Sequence, residues 1–235
     1  MSIRPAEPGV KRRRAPRGSG EHLRDEILDA TTDLLLETGH AKAVSIRLVA
    51  QRVGVTPPSI YLHFADKDAL LDAVCARYFA KLDEEMERVA ANLPSTIEVL
   101  RAQGLAYVRF ATQTPELYRI ATMGEGRQGS DVDMTLNSSA FLHLRNSVES
   151  LMAEGVYPPG DPTVAALQLL TAVHGVAALL IAKPYLPWGD VEEFADRTLS
   201  AACLGHIALG LVGDEDATPQ QAVDWLLGRR EKGKS

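Results

Sequence analysis

Apolar side chains recur every three to four residues along most of this chain, and no stretch sustains the alternation of apolar and polar residues expected of a strand. In the first such stretch Leu23, Ile27 and Leu34 share one face of a helix that should begin near Glu21, and Gly39 marks its end. With 235 residues, 46% of them hydrophobic, the chain can bury a core of such helices. The pattern therefore predicts an all-α protein.

Charge is distributed unevenly along the chain. The net charge is −6, but residues 1–67 hold 11 Lys and Arg against 8 Asp and Glu. A basic head on an acidic body is typical of a protein that touches a polyanion with one end. Residues 1–20, with the run Lys11–Arg14, have no apolar periodicity and are expected to form a disordered basic arm. That arm is either a solubilising tail or a segment that follows DNA phosphates.

Cysteine usage and the polar N-terminus bear on the compartment. The chain has two cysteines, Cys75 and Cys203, which argues against a disulfide scaffold and a four-cysteine zinc site. The first residues lack the apolar stretch of a secretory signal. We therefore expect a cytoplasmic protein.

Two short helices with a tight turn between them are predicted in the basic head. Ser45 can cap the first, which ends at Gly54, and Thr56 can cap the second. Pro57 and Pro58 fall at the first positions of the second helix, where no N–H is required. This arrangement is a helix-turn-helix, in which the second helix would lie in the major groove, and Asp66 can cap a long fourth helix that follows. Generic helix pairs are common, so the arrangement alone is weak evidence for DNA binding.

A longer motif makes the interpretation specific. Residues 54–70 read G-V-T-P-P-S-I-Y-L-H-F-A-D-K-D-A-L, and over residues 21–75 the chain resembles the TetR family of bacterial transcriptional regulators. The resemblance implies a DNA-binding domain of three helices at residues 21–68. It also implies a long connecting helix and a ligand-binding and dimerisation domain at residues 69–230.

Side chains on this motif have the chemistry of phosphate and base contacts. Hydroxyls, an imidazole and an ammonium can donate to phosphate oxygens, a helix N-terminus favours an anion, and prolines can contact a thymine methyl. By the resemblance, Thr56, Tyr61, His63 and Lys67 match DNA-contacting positions, and Ile60 and Phe64 match core positions. The alternatives are that Tyr61 packs in the core, that His63 is an ordinary surface residue and that Lys67 pairs with Asp66 or Asp68. The candidate DNA-binding residues are Ser45, Arg47, Thr56, Pro57, Pro58, Ser59, Tyr61, His63 and Lys67. Pro57 and Pro58 depart from the polar or small residues that the family often has, which leaves few long side chains for base edges.

The second region resembles one subgroup of the family. Residues 107–121 and 173–179 are similar to C-terminal domains named for a Trp-His-Gly pattern, although the tryptophan is missing upstream of His174. In such proteins the last two long helices form a four-helix dimer interface, which here implies a homodimer through residues 162–183 and 190–212. The apolar residues that suit this use on the last helix are Leu199, Ala202, Cys203, Ile207 and Leu211.

A pocket for an effector is expected between the remaining helices. An apolar lining with few polar anchors predicts a hydrophobic effector, such as a fatty acyl compound or a lipophilic drug. Each residue could instead belong to the core, and His174 beside Gly175 could serve helix packing. The candidate ligand-binding residues are Tyr107, Phe110, Tyr118, Met123, Phe141, Leu144, Val148 and His174. A glycine-rich mobile loop is predicted at residues 124–130.

These features predict a repressor that a hydrophobic small molecule releases from a pseudo-palindromic operator on double-stranded DNA. Two other classes compete with it. An enzyme has little support, because the sequence lacks the common nucleotide-binding and hydrolase motifs, and its histidines show no metal-ligand spacing on one helix. We therefore expect no catalytic residues, metal or cofactor. A membrane-associated adaptor could use residues 163–182, which carry no charged side chain.

Overall fold

The computed structural model describes residues 19–123, 139–212 and 218–232, and no side chain is described for residues 19, 20, 123, 139, 211, 219 and 229–232. Most of the predicted basic arm and the predicted loop at 124–130 lie outside these ranges. The described residues form ten α-helices and one short 3₁₀ turn at Ala41–Ala43, with no strand, which confirms the all-α prediction. The helices are α1 Ser19–Thr38, α2 Ile46–Val53, α3 Pro57–Tyr61, α4 Lys67–Ala90, α5 Thr96–Gln113, α6 Pro115–Met123, α7 Ser139–Ala153, α8 Pro162–Ala182, α9 Val191–Val212 and α10 Pro219–Lys232.

The chain divides after Ala73 into two compact units. In the first unit α2 packs against α1 and α3. Its core contains the fully buried Ile27, Leu35, Val49 and Ile60. Helix α1 begins two residues before the predicted start, so the last two residues of the predicted arm are helical.

The connection from α2 to α3 is the predicted tight turn. Gly54 has φ 78° and ψ 31°, a left-handed conformation that glycine adopts without steric cost. Ser45 caps α2, because its hydroxyl accepts a hydrogen bond from the Leu48 N–H at 3.2 Å. Thr56 occupies the cap position of α3, but its hydroxyl pairs with that of Ser59 at 3.0 Å rather than with the backbone.

The second unit is a bundle in which α5 packs against α7, α8 and α9. Helices α5 and α7 run antiparallel, since Thr96 pairs with Glu154 and the Ser147 hydroxyl donates to Gln103 Oε1 at 3.1 Å. Most of the core lies between these helices and α8.

Helix α8 is long and apolar enough to cross a membrane by length and composition, with a mean hydropathy of 2.1 over its most apolar window. One face of it is buried inside the second unit, at Ala166, Leu169, Val173 and Ala177 among others. A core helix of a soluble protein meets the same criterion, so the length and composition of α8 do not by themselves favour a membrane span.

Candidate DNA-binding surface and effector region

Helix α3 separates core residues from exposed ones as a recognition helix requires. Ile60 is fully buried and Phe64 is 4% exposed, whereas the Tyr61 side chain is 54% exposed. Thr56, Pro57 and Pro58 are also exposed, and Ser59 and His63 are half-buried. Tyr61 therefore does not pack in the core, and its hydroxyl can reach a ligand outside the unit.

Lys67 at the start of α4 has a partner that its sequence neighbours do not suggest. Its Nζ donates to the carbonyl oxygen of Ala41 at 2.7 Å, so the ammonium fixes the 3₁₀ turn that precedes α2. Asp66 instead accepts from the Ala69 N–H at 2.8 Å and caps α4, as predicted. Because an ammonium has three N–H donors, its bond to Ala41 leaves capacity for a phosphate.

An ion pair that sequence spacing did not indicate holds α1 to α2. Arg52 donates to both carboxylate oxygens of Glu37, at 2.9 and 2.7 Å. This hydrogen bonding holds the pKa of the Glu37 carboxyl below its usual range. Arg52 is therefore a positioning residue for α2, whereas Arg47 on the same helix is exposed and available for DNA.

Three of the predicted ligand-binding residues meet in the second unit. The Tyr118 hydroxyl lies 2.7 Å from His174 Nδ1, and the Tyr107 hydroxyl lies 3.4 Å from the same nitrogen. The two tyrosine rings are edge to face with centroids 6.0 Å apart. Burial raises the pKa of both tyrosines and lowers the pKa of His174. All three groups are therefore uncharged near neutral pH, which gives α5, α6 and α8 a shared neutral polar cluster.

Phe110 extends this region toward α4. Its ring lies 4.7 Å from that of Tyr78, whose pKa burial also raises. Tyr78 is not among the predicted ligand-binding residues. From the sequence, Tyr78 is one of the apolar residues on one face of a helix, which does not indicate a ligand contact. Its contact with Phe110 is not predictable from spacing, because the two residues lie far apart in the chain.

The other predicted lining residues belong to α7. Phe141 and Val148 are buried in the core between α5, α7 and α8, and Leu144 packs against that core. The antiparallel register of Thr96 with Glu154 and Gln103 with Ser147 places Phe141 beside the end of α5 that carries Tyr107 and Phe110. The Met123 side chain lies outside the described residues.

Comparison with family models decides the classification. Residues 27–74 match the model described as "Bacterial regulatory proteins, tetR family", and residues 100–202 match the model described as "Tetracyclin repressor-like, C-terminal domain". The chain belongs to the TetR family. It is therefore a DNA-binding transcriptional regulator of a non-enzymatic family, as the helix-turn-helix motif predicted.

Individual relatives and solved structures are similar to this TetR-family regulator over most of its length. The nucleoid occlusion factor SlmA of Vibrio cholerae is 26% identical over 178 residues, which cover 73% of this chain and 91% of SlmA. A solved structure from Rhodococcus sp. RHA1, of unknown function, has a TM-score of 0.68 at 26% identity and covers 79% of this chain and 95% of its own. A TetR-family regulator from Pectobacterium atrosepticum has a TM-score of 0.60 at 21% identity, covering 81% and 95% of the two chains, and shares the fold.

Proposed function

We propose that the protein is a repressor that binds a pseudo-palindromic operator as a homodimer and leaves it when a hydrophobic small molecule binds. The observation that carries the DNA-binding part is the exposed face of α3, where Tyr61 stands clear of a core built on Ile60 and Phe64. Tyr61, His63 and Lys67 position the head on phosphates, while Arg47 and the two prolines contact base edges. Ser45, Thr56 and Ser59 add hydroxyls, and the Ser45 hydroxyl also caps α2.

Dimerisation through α8 and α9 is supported by apolar side chains that the isolated chain leaves exposed. Val164, Leu167 and Leu179 on α8 and Leu204 and Leu209 on α9 are between 39% and 64% exposed. Exposed large apolar side chains on two helices that pack against each other are characteristic of a protein interface. A dimer also presents two recognition helices, which must lie about 34 to 36 Å apart to enter successive major grooves.

The apolar residues of α9 that the sequence indicated for the dimer surface pack inward instead, where the structure describes their side chains. Leu199 is 6% exposed, and Ala202, Cys203 and Ile207 pack against the core of their own chain. Leu211 has no described side chain. The periodicity identifies the apolar residues of α9, but helix packing decides which of them face inward, so the proposed interface rests on Leu204 and Leu209 instead.

The effector is proposed to bind beside the Tyr107, Tyr118 and His174 cluster, with Phe110 and Phe141 as apolar lining. The cluster offers uncharged hydrogen-bonding groups among aromatic rings, which fits a ligand with a long apolar part and one polar group. A fatty acyl compound and a lipophilic drug both have this form. A ligand that favours another separation of the recognition helices would shift the population away from the operator-binding state.

The remaining assignments complete the proposal. The DNA-binding domain spans residues 21–68 and the regulatory domain residues 69–230, and the regulatory domain belongs to the Trp-His-Gly subgroup despite the missing tryptophan. The protein acts in the cytoplasm, as is typical of the family. The basic arm at residues 1–20 lies almost wholly outside the described residues.

Selection from a random pool of DNA duplexes tests the proposal, followed by native mass spectrometry of the selected complex and of the freshly purified protein. We expect an enriched inverted repeat, two chains or a multiple of two on each duplex, and loss of the duplex when a retained or added lipophilic compound binds. Absence of an enriched repeat would contradict operator binding. A single chain on the selected duplex would contradict the dimer, and release by charged, hydrophilic compounds alone would contradict the hydrophobic effector.

A further inference from the structure

Helices α4 and α7 of the second unit bring two carboxylates and an imidazole together. Asp83 and Glu87 lie one turn apart on α4, and His143 faces them from α7. The Nε2 atom of His143 is 2.7 Å from Oδ1 of Asp83 and 3.7 Å from Oε1 of Glu87. One donor atom from each of the three side chains lies within 4.8 Å of the other two. A search for metal-ligand spacing along one helix does not find this arrangement, because His143 comes from a different helix.

The geometry at Asp83 is not that of an ordinary ion pair. Its Oδ1 atom is shielded from solvent and accepts no hydrogen bond from the described residues, although it lies within 2.7 Å of the imidazole nitrogen. The ring N–H bond therefore does not point at this oxygen. A shielded carboxylate oxygen without a hydrogen bond is costly, and a cation would remove that cost.

No lysine or arginine among the described residues forms an ion pair with Asp83 or Glu87. Every other carboxylate of the second unit with a described ion pair is paired with an arginine, as Asp196 is with Arg101 at 2.6 Å. The two carboxylates thus place negative charge around the Nε2 atom of the imidazole. An imidazole and two carboxylates form a donor set that first-row divalent cations accept.

A groove leads to the cluster. It has a volume of about 470 Å³ and lies along α5, α7 and the connection between α4 and α5. His143 lines it together with Ser95, Thr96, Asn146 and Ser147. The groove provides a path for an ion and room for water molecules or a polar ligand in the coordination positions that the protein does not fill.

We propose that Asp83, Glu87 and His143 bind a first-row divalent cation of the series from Mn²⁺ to Zn²⁺. Imidazole and carboxylate are both ordinary ligands for these ions, and three protein ligands leave further positions open to water. Bond lengths of about 2.0 to 2.2 Å put donor atoms roughly 3 to 3.6 Å apart, so rotation of the Glu87 side chain, which is 64% exposed, closes the site. The bound ion joins α4 to α7 and fixes their separation.

The experiment titrates tag-free, metal-stripped protein with Co²⁺, whose visible absorption reports imidazole and carboxylate ligation, and repeats the titration with Zn²⁺ by calorimetry. We expect one ion per chain. His143→Gln and Asp83→Asn should weaken its binding at least tenfold. His22→Gln is the matched control, because His22 pairs with Glu26 at 3.3 Å in the first unit, where the described residues supply no third candidate ligand.

Glu87→Gln keeps the test decisive if the other variants fold poorly, because this side chain is largely exposed. It should retain the helical circular dichroism spectrum and still lose Co²⁺ affinity. Zn²⁺ should also raise the melting temperature of the parent protein and not that of Glu87→Gln. The proposal is overturned if the parent binds no ion below 1 mM, a threshold of about 4 kcal/mol. It is also overturned if His22→Gln loses binding while the three site variants keep it.

Discussion

The hydroxyl of Tyr118 lies 2.7 Å from Nδ1 of His174, inside a region where burial lowers the pKa of the imidazole below its ordinary value of 6.5. The neutral ring can accept a hydrogen bond from the tyrosine hydroxyl at this nitrogen, whereas a ring protonated at this nitrogen cannot. The contact therefore couples the protonation state of the half-buried His174 to the packing of α6 on α8.

This coupling predicts a pH dependence of stability. Since the pKa of His174 is lower in the folded than in the unfolded protein, the unfolded chain takes up the proton first as the pH falls. The stabilisation is complete above pH 6.5 and is lost as the pH decreases through that value toward the folded pKa. Urea unfolding at fixed protein concentration should show a smaller free energy at pH 5.5 than at pH 7.5, and the difference should shrink in His174→Asn.

His206 contributes to the same dependence of the unfolding free energy on pH, because burial lowers the pKa of its imidazole as well. Its ring stacks on Tyr157. The His174→Asn variant should therefore reduce the pH dependence without abolishing it. His22→Asn is the control, since that side chain is 77% exposed. If stability depends equally on pH in the parent and in His174→Asn, the half-buried imidazole of His174 does not control stability in this range.

The turn of the helix-turn-helix makes a prediction about backbone strain. Gly54 has φ 78°, and a Cβ added there would meet no atom within 4 Å, so a side chain would meet strain but no collision. We expect Gly54→Ala to reduce the free energy of unfolding of the first unit by about 1 to 2 kcal/mol. Gly54→Asn should cost less, because asparagine tolerates this conformation. Denaturant melts of both variants test the assignment, and an equal loss would point to a contact of the glycine rather than to its backbone angle.

Local signals predicted several helix ends correctly, since Ser45 caps α2, Gly54 ends α2 and Asp66 caps α4. Two further helices have local caps of the same kind. Asp161 accepts from the Thr163 N–H at 2.8 Å at the start of α8, and Thr218 and Gln221 cap α10 reciprocally. These caps depend on residues two or three positions apart, which a sequence shows directly.

Contacts between distant residues were less accessible to prediction. The hydrogen bonds from Lys67 to Ala41 and from Arg52 to Glu37 join residues 26 and 15 positions apart, and no periodicity in the sequence predicts them. The candidate effector residues were chosen from the sequence because they are mostly apolar or aromatic and fall in the C-terminal region. The contacts of Tyr107 and Tyr118 with His174 depend on the packing of three helices.

The exposed hydroxyl of Tyr61 leads to a prediction about operator affinity. Tyr61→Phe removes one hydrogen bond to a charged phosphate oxygen and keeps the ring, so the affinity for the selected duplex should fall on the order of tenfold. Fluorescence anisotropy at fixed salt concentration measures the change, because salt alters all phosphate contacts. Tyr185→Phe is the control, since Tyr185 is 99% exposed in the second unit. Equal affinities of Tyr61→Phe and the parent would remove Tyr61 from the DNA contacts.

The exposed apolar face of α8 predicts that a single charge introduced there disrupts the proposed dimer. Leu179 is 52% exposed in the single chain, and an isolated carboxylate is costly to bury at an interface. Leu179→Glu should therefore convert the dimer to a monomer in light scattering after gel filtration, and weaken operator binding at the same time. Leu142→Glu carries the same change on α7, where the leucine is 41% exposed, and should remain dimeric. If Leu179→Glu stays dimeric and binds the operator as the parent does, the interface does not include this part of α8.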